Sequence, residues 1–138
     1  MFDLGASHSI FNYRFAIYLP NKNRYDEEIP DIEQWADEAH YVLFTAAGGA
    51  TRLPPAQGMW LNKQEGKVIH EVTHVVYAFI EPAAFKPNLP LVLDFIHRYG
   101  RDTMQDSVAV EYGAKVHFIK TFDKINLNAP MTRRKLAG

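Results

Sequence analysis

The residues best placed to do chemistry are two histidines and a glutamate in one short segment, His70-Glu71-Val72-Thr73-His74. On an α-helix, histidines four residues apart lie one turn apart on one face, where both rings can bind one zinc ion. The glutamate between them would then activate a water molecule for hydrolysis. This chemistry requires the segment to be helical.

The segment resembles the HExxH motif of the zincin metalloproteases, also in the apolar residues on either side of it. The resemblance implies a small zinc-dependent hydrolase using His70, Glu71 and His74. However, seven of the thirteen residues from 68 to 80 are Val, Ile or Thr, which favour a strand. On a strand the two histidines would lie about 13 Å apart, and Glu71 would point to the opposite face. The sequence therefore predicts a strand with no metal site, and keeps the zinc hydrolase as an alternative.

A second candidate site consists of six polar or amphipathic residues that a sheet could bring together. An arginine, a carboxylate, an amide and an indole suit a small polar or planar ligand, with Arg52 pairing an anion and Trp60 stacking. The structural alternative is that Trp60 fills the core, Glu71 binds Arg52 or a backbone amide, and Gln105 caps the final strand. The six candidate ligand-binding residues are Thr51, Arg52, Gln57, Trp60, Glu71 and Gln105.

This region also resembles a loose pattern in small uncharacterised bacterial and phage α+β proteins, over about residues 11 to 119. The resemblance implies a ferredoxin-like fold and no established activity. It is carried by Gly48-Gly49-Ala50-Thr51, Gln57-Gly58-Met59-Trp60, Gly66, Val68, Glu71 and Gln105-Asp106-Ser107-Val108.

Six scattered histidines allow one further enzyme hypothesis. If strand pairing placed His74 beside His117, one of them could act as an acid or base near pH 7. The protein would then be a cofactor-free enzyme of the dimeric α+β barrel type.

The apolar pattern predicts the elements that must position these residues. Alternation predicts strands, whereas apolar residues three and four positions apart predict helices, with Asn88 capping the second one. The expected order is β-α-β-β-α-β-β, a ferredoxin-like split βαβ fold of the α+β class with an antiparallel sheet and two helices on one face. The predicted elements are a strand at 11–19, a helix at 31–47, an interrupted or edge strand at 50–62, a central strand at 67–81, a helix at 88–100, and a hairpin of 107–112 and 115–120.

Both faces of the central strand are apolar, since Val76 and Ala78 alternate with Val75 and Tyr77. Two helices can cover only one of these faces. We therefore expect a homodimer or larger ring in which a second protomer covers the other face.

Composition limits the remaining possibilities. The chain has 138 residues, of which 47% are hydrophobic, and its net charge is −1, so one packed domain without a general affinity for nucleic acid is expected. The absence of cysteine excludes disulfides and thiolate metal sites but suits reducing and oxidising compartments equally. There is no apolar run long enough to span a membrane and no secretory signal at the start, which leads us to expect a cytoplasmic protein. We divide it into an N-terminal extension (1–10), the ferredoxin-like domain (11–120) and a basic tail (121–138), which is the only candidate for phosphate contacts.

Taken together, the sequence predicts a non-catalytic, oligomeric module that binds a small polar ligand or another protein and uses no cofactor. The zinc hydrolase and the cofactor-free barrel enzyme remain its two enzymatic alternatives.

Overall fold

A computed structural model of the chain describes Leu4, Ile10, Phe11 and residues 13–122. The predicted N-terminal extension and basic tail therefore lie almost entirely outside the described residues. Within the described part, no helix is long and apolar enough to cross a membrane. The elements are β1 (Tyr13–Pro20), α1 (Ile32–Ala47), β2 (Thr51–Arg52), β3 (Ala56–Asn62), β4 (Lys67–Ile80), α2 (Pro82–Phe85), a 3-10 turn (Lys86–Asn88), α3 (Leu89–Asp102), β5 (Val108–Tyr112) and β6 (Lys115–Ile119).

The strands form one six-stranded antiparallel sheet in the order β2-β4-β1-β5-β6, with β3 also paired to β4. Strands β2 and β3 pair with successive parts of β4 because Pro54 and Pro55 lie between them and lack the N–H that a ladder needs. The predicted α+β class, with an antiparallel sheet and two long helices, is confirmed.

Strand β4 confirms that the segment around Thr73 is extended. Alternate side chains point to opposite faces of a strand. His74, Val76, Ala78 and Ile80 are accordingly buried on one face, whereas Phe79 on the other is exposed.

The core lies between the sheet and the two long helices. Trp35 of α1 packs against Phe95 and Tyr99 of α3, with ring centroids 6.0 and 5.5 Å away. Beside this aromatic cluster, the fully buried Glu38 of α1 pairs with Arg98 of α3. The helices are therefore joined by apolar packing and by one buried charge pair.

The connection before α3 differs from the sequence-based expectation. Asn88 occupies the N-cap position but makes no side-chain cap, because its amide donates instead to the carbonyl of Ala46 at the end of α1 (3.2 Å). The short helix α2 and the 3-10 turn were not predicted, since a few residues carry too little periodicity to indicate a helix.

The face of the sheet opposite the helices, which we call the open face, has no helix packed on it in the described residues. Phe79 of β4 and Phe118 of β6 lie on this face with 57% and 64% of their surface exposed. The homo-oligomer that would cover it stays a prediction.

Candidate functional site

The open face carries a cavity of about 400 Å³ at one end of the sheet. Its walls come from β1, β3, β4, β5 and β6, from the loop after β1, and from the residues that lead into β5. The lining residues are Tyr18, Pro20, Lys22, Asn23, Arg24, Trp60, Glu71, Thr73, Gln105, Asp106, Ser107, Ala109 and Phe118.

Glu71 lines this cavity, and the fold alters the acidity of its carboxyl group. Burial raises the pKa of this half-buried carboxyl group, because a low-dielectric surrounding disfavours the charged form. The Trp60 side chain and the positive charge of Lys22 lower the pKa, but only in part. The Glu71 carboxyl group is thus partly shielded from water in the cavity wall, next to the indole of Trp60.

The sequence Gly58-Met59-Trp60 explains how Glu71 fits there. Gly58 lies directly opposite Glu71 in the β3–β4 register, and Trp60 lies two residues on, on the same face. A Cβ atom at Gly58 would stand 2.9 Å from Oγ1 of Thr73 and 3.2 Å from Cγ of Glu71. The glycine therefore leaves the space that the Glu71 side chain occupies.

Hydrogen bonds fix the two loops that complete the cavity. The amide of Gln105 donates to the carbonyl of Lys22 (3.1 Å) and to Oγ1 of Thr103 (3.2 Å). The hydroxyl of Tyr99 donates to the carbonyl of Pro20 (2.7 Å), which ties the end of β1 to α3. The loop after β1 is therefore held to the loop before β5.

Only three of the six predicted ligand-binding residues line this cavity: Trp60, Glu71 and Gln105. Arg52 instead forms ion pairs with Glu33 and Asp37 on α1. The remaining two, Thr51 and Gln57, are exposed outside the cavity. Thr51 lies opposite Tyr77, and Gln57 opposite Val72.

The anion-pairing role expected for Arg52 is therefore corrected. Glu33 and Asp37 are one helical turn apart and neutralise its guanidinium on the helix side of the sheet. The structural alternative also needs correction. Trp60 lines the cavity and does not fill the core. Glu71 lines the cavity as well, whereas the partner of Arg52 is Glu33.

The zinc hydrolase alternative is wrong on geometry. His70 and His74 lie four residues apart along β4, and Glu71 points to the other face. His74 is buried in the core, with Nδ1 3.3 Å from the Arg52 guanidinium. Among the described residues, no group of three or more His, Asp or Glu side chains could hold a metal ion.

The hypothetical pair of His74 and His117 is not formed. His117 lies on β6 and His74 on β4, and β1 and β5 lie between them in the sheet. Three strand spacings separate them by about 14 Å. Neither histidine lines the cavity, so the barrel-type enzyme that depended on them loses its acid or base.

Several cavity residues were missed by the sequence-based reasoning. Tyr18 and Phe118 each sit on a strand position that alternates with core residues, and this alternation could have placed them on the open face. Lys22, Arg24 and Asp106 lie in loops, whose course no periodicity indicates.

Comparison with known proteins gives a match in structure only: no family model and no curated protein matches the chain. The fold is similar to a phage SAM lyase solved in complex with S-methyl-5'-thioadenosine, with a TM-score of 0.59 and 15% identity over 88% of this chain and 99% of that one. It is also similar to a phage SAM lyase in the apo state, with a TM-score of 0.57 and 17% identity over 91% of this chain and 98% of that one. The expectation of a non-catalytic module is thereby overturned, because the fold on which it rested is one that an enzyme uses.

Proposed function

We propose that this protein is a lyase that cleaves S-adenosylmethionine (SAM) and releases S-methyl-5'-thioadenosine. One observation carries the proposal: a half-buried carboxylate beside an indole, in a cavity of ligand size, on a fold similar to that of a phage SAM lyase. A volume of about 400 Å³ is within the range of small-molecule sites.

The cavity walls suit both parts of the substrate. The rings of Trp60, Tyr18 and Phe118 offer apolar faces on which an adenine can stack. The carboxylate of Glu71 attracts the positive sulfonium centre, and partial burial strengthens this attraction relative to water.

The reaction is balanced without water. The bond between the sulfonium sulfur and the four-carbon amino-acid chain breaks, and its electron pair goes to sulfur, which becomes the neutral thioether of S-methyl-5'-thioadenosine. In one route the carboxylate of the four-carbon fragment attacks the carbon that leaves sulfur, which gives a lactone. In the other, the neighbouring carbon gives a proton to a base such as the Glu71 carboxylate, and its C–H electron pair forms an alkene. No cofactor is needed in either case.

The test is to incubate the purified full-length protein with SAM and to measure S-methyl-5'-thioadenosine by mass spectrometry against a protein-free blank. We expect turnover by the wild type and, at SAM concentrations below KM, a rate lower by about tenfold or more in Glu71→Gln, because this variant removes the charge that binds the sulfonium. His70→Ala is the matched control, since the adjacent side chain is exposed on the other side of β4 and its variant should keep the wild-type rate.

A folded wild-type protein that neither forms nor binds S-methyl-5'-thioadenosine would reject the proposal. Equal turnover by wild type and Glu71→Gln above the protein-free blank would reject the role that we give to Glu71.

We also infer that a second copy of the chain covers the open face. The support is the pair of exposed rings, Phe79 and Phe118, on a face without helices, together with a net charge of only −1, which opposes self-association little. Light scattering at micromolar concentration should report an oligomer that Phe79→Asp dissociates, whereas Phe44→Asp, at an exposed position on α1, should leave it intact. A monomeric wild type would reject this inference.

We further infer a ferredoxin-like split βαβ topology with β6 added at the edge. Its support is that β4 lies between β1 and the β2 and β3 strands, while β5 lies on the other side of β1. The similarity to the small bacterial and phage proteins, and the cytoplasmic location, stay predictions.

A further inference from the structure

A second cavity of about 290 Å³ adjoins the first and shares part of its wall. Trp60, Arg24 and Asp106 line both cavities, and the turn of the β3–β4 hairpin closes the second one with residues 61–64. The two cavities thus meet at the Trp60 side chain.

The charges at this junction are available to a ligand. Within the part of the chain that the structure describes, neither Arg24 nor Asp106 takes part in an ion pair. The guanidinium of Arg24 lies over the ring of Tyr25, 5.4 Å from its centroid. The nearby Asp26, by contrast, is already paired with Lys22 at 3.2 Å and with Lys67 at 3.5 Å. Among the described residues, Lys63 of the second cavity also takes part in no ion pair, so two cations, Arg24 and Lys63, and one anion, Asp106, line this space.

The backbone fixes these two charges relative to each other. The amide N–H of Arg24 donates to the carbonyl of Met104 (3.1 Å), two residues before Asp106. The side-chain amide of Gln105 donates a second hydrogen bond between the same two loops, to the carbonyl of Lys22 (3.1 Å). The loops that carry the cation and the anion are thus joined by two hydrogen bonds.

We propose that the second cavity is the subsite for the α-amino-acid end of the substrate, an inference that rests on the proposed function. Arg24 pairs with the substrate carboxylate through its planar fork of N–H donors, and Asp106 accepts from the substrate ammonium group. The adenosine part lies in the first cavity, and the sulfonium lies between the two, where Trp60 and Glu71 meet. A zwitterionic head group fits this lining, because its carboxylate meets the cations Arg24 and Lys63 while its ammonium group meets Asp106.

The two ends of the substrate can be tested separately with two probes. S-Methyl-5'-thioadenosine lacks the amino-acid end, whereas S-adenosylhomocysteine carries it on a thioether that cannot react as a sulfonium. Calorimetric titration of each probe into wild type, Arg24→Gln and Asp106→Asn gives the comparison. Arg101→Gln is the control, because that exposed arginine on α3 lines neither cavity.

We expect Arg24→Gln and Asp106→Asn to weaken S-adenosylhomocysteine binding by about tenfold or more, as the loss of a hydrogen bond to a charged group does. Binding of S-methyl-5'-thioadenosine should stay as in the wild type. If both probes weaken equally, or if neither does, the subsite is rejected while the proposed function stands. If the wild type binds neither probe, the subsite is rejected, and if it also forms no S-methyl-5'-thioadenosine from SAM, the proposed function fails as well.

Discussion

Glu71 and Gly58 lie directly opposite each other on β4 and β3, and the carboxylate side chain lies over the position where any other residue would carry its Cβ. Because close-packed regions respond to a single added methyl group, the position of Glu71 depends on this glycine. The relationship connects a backbone feature to the residue to which we assign the central role in the cavity.

Replacing Gly58 with alanine should displace Glu71 and lower turnover while the protein stays folded. The added Cβ would meet Thr73 at 2.9 Å, and we expect overpacking to cost about 1–3 kcal/mol in the free energy of unfolding. Gly49→Ala is the control, since a Cβ there meets nothing within 4 Å. Equal turnover in the two variants, measured with SAM, would contradict this prediction.

The ionised Glu71 should make the fold less stable at neutral pH than a neutral side chain would. Burial raises the pKa of its carboxyl group, so the folded protein binds a proton more readily than the unfolded chain does. The free energy of unfolding therefore falls as the pH rises from the pKa of this carboxyl group in the unfolded chain through its higher pKa in the folded protein. We expect Glu71→Gln to raise the melting temperature at pH 8 but not at pH 4; a gain of equal size at both would point to another cause.

Buried His74 should make the protein sensitive to mild acid. Burial and the neighbouring Arg52 lower its pKa below the ordinary value near 6.5, and Glu33 offsets this only in part. The unfolded chain therefore takes up the proton first, and stability falls as pH drops below about 6.5. Urea denaturation at pH 7.5 and 5.5 should show a smaller loss in His74→Gln than in wild type, whereas the exposed-site variant His70→Gln should lose as much as wild type.

Arg98→Met should destabilise the protein strongly, because it removes the cation that faces the fully buried Glu38. Losing one partner of a buried ion pair costs about 3–5 kcal/mol. Arg101→Met is the comparison, since Arg101 pairs with the exposed Asp102 and its loss should change stability by about 0.5 kcal/mol or less. Similar urea midpoints for the two variants would show that the buried pair contributes little.

The strands could be predicted well because their pattern is local. Alternation at Phe15, Ile17 and Leu19 indicated which face of β1 is buried, and the β-branched residues of β4 outweighed the HExxH motif. The interruption between β2 and β3 followed from Pro54 and Pro55. Each of these inferences needs only neighbouring residues and the two-residue period of a strand.

The candidate site was predicted only in part, because a cavity is assembled from distant loops. Trp60 and Glu71 come together through one hairpin, which the sequence indicated, whereas Arg24 and Asp106 meet through bonds between loops about 80 residues apart. Arg52 pairs instead with Asp37 and Glu33, which lie 15 and 19 residues before it, and no local pattern links residues that far apart. Glu33 and Asp37 are one helical turn apart, so that both carboxylates lie on one face of α1 and can pair with a single guanidinium.

The outer half of the β3–β4 hairpin extends beyond the helices, so that Met59, Leu61 and Val68 are exposed on the side where the helices cover the rest of β4. Trp60 therefore lies on a projecting part of the hairpin that no described helix covers from behind, although its neighbour Ile69 is buried. Such segments open locally at a lower free energy than the core. Ligand affinity and global stability should accordingly vary independently. Substitutions in this outer half of the hairpin should change the dissociation rate of a ligand, whereas the melting temperature should depend on the core that the helices cover.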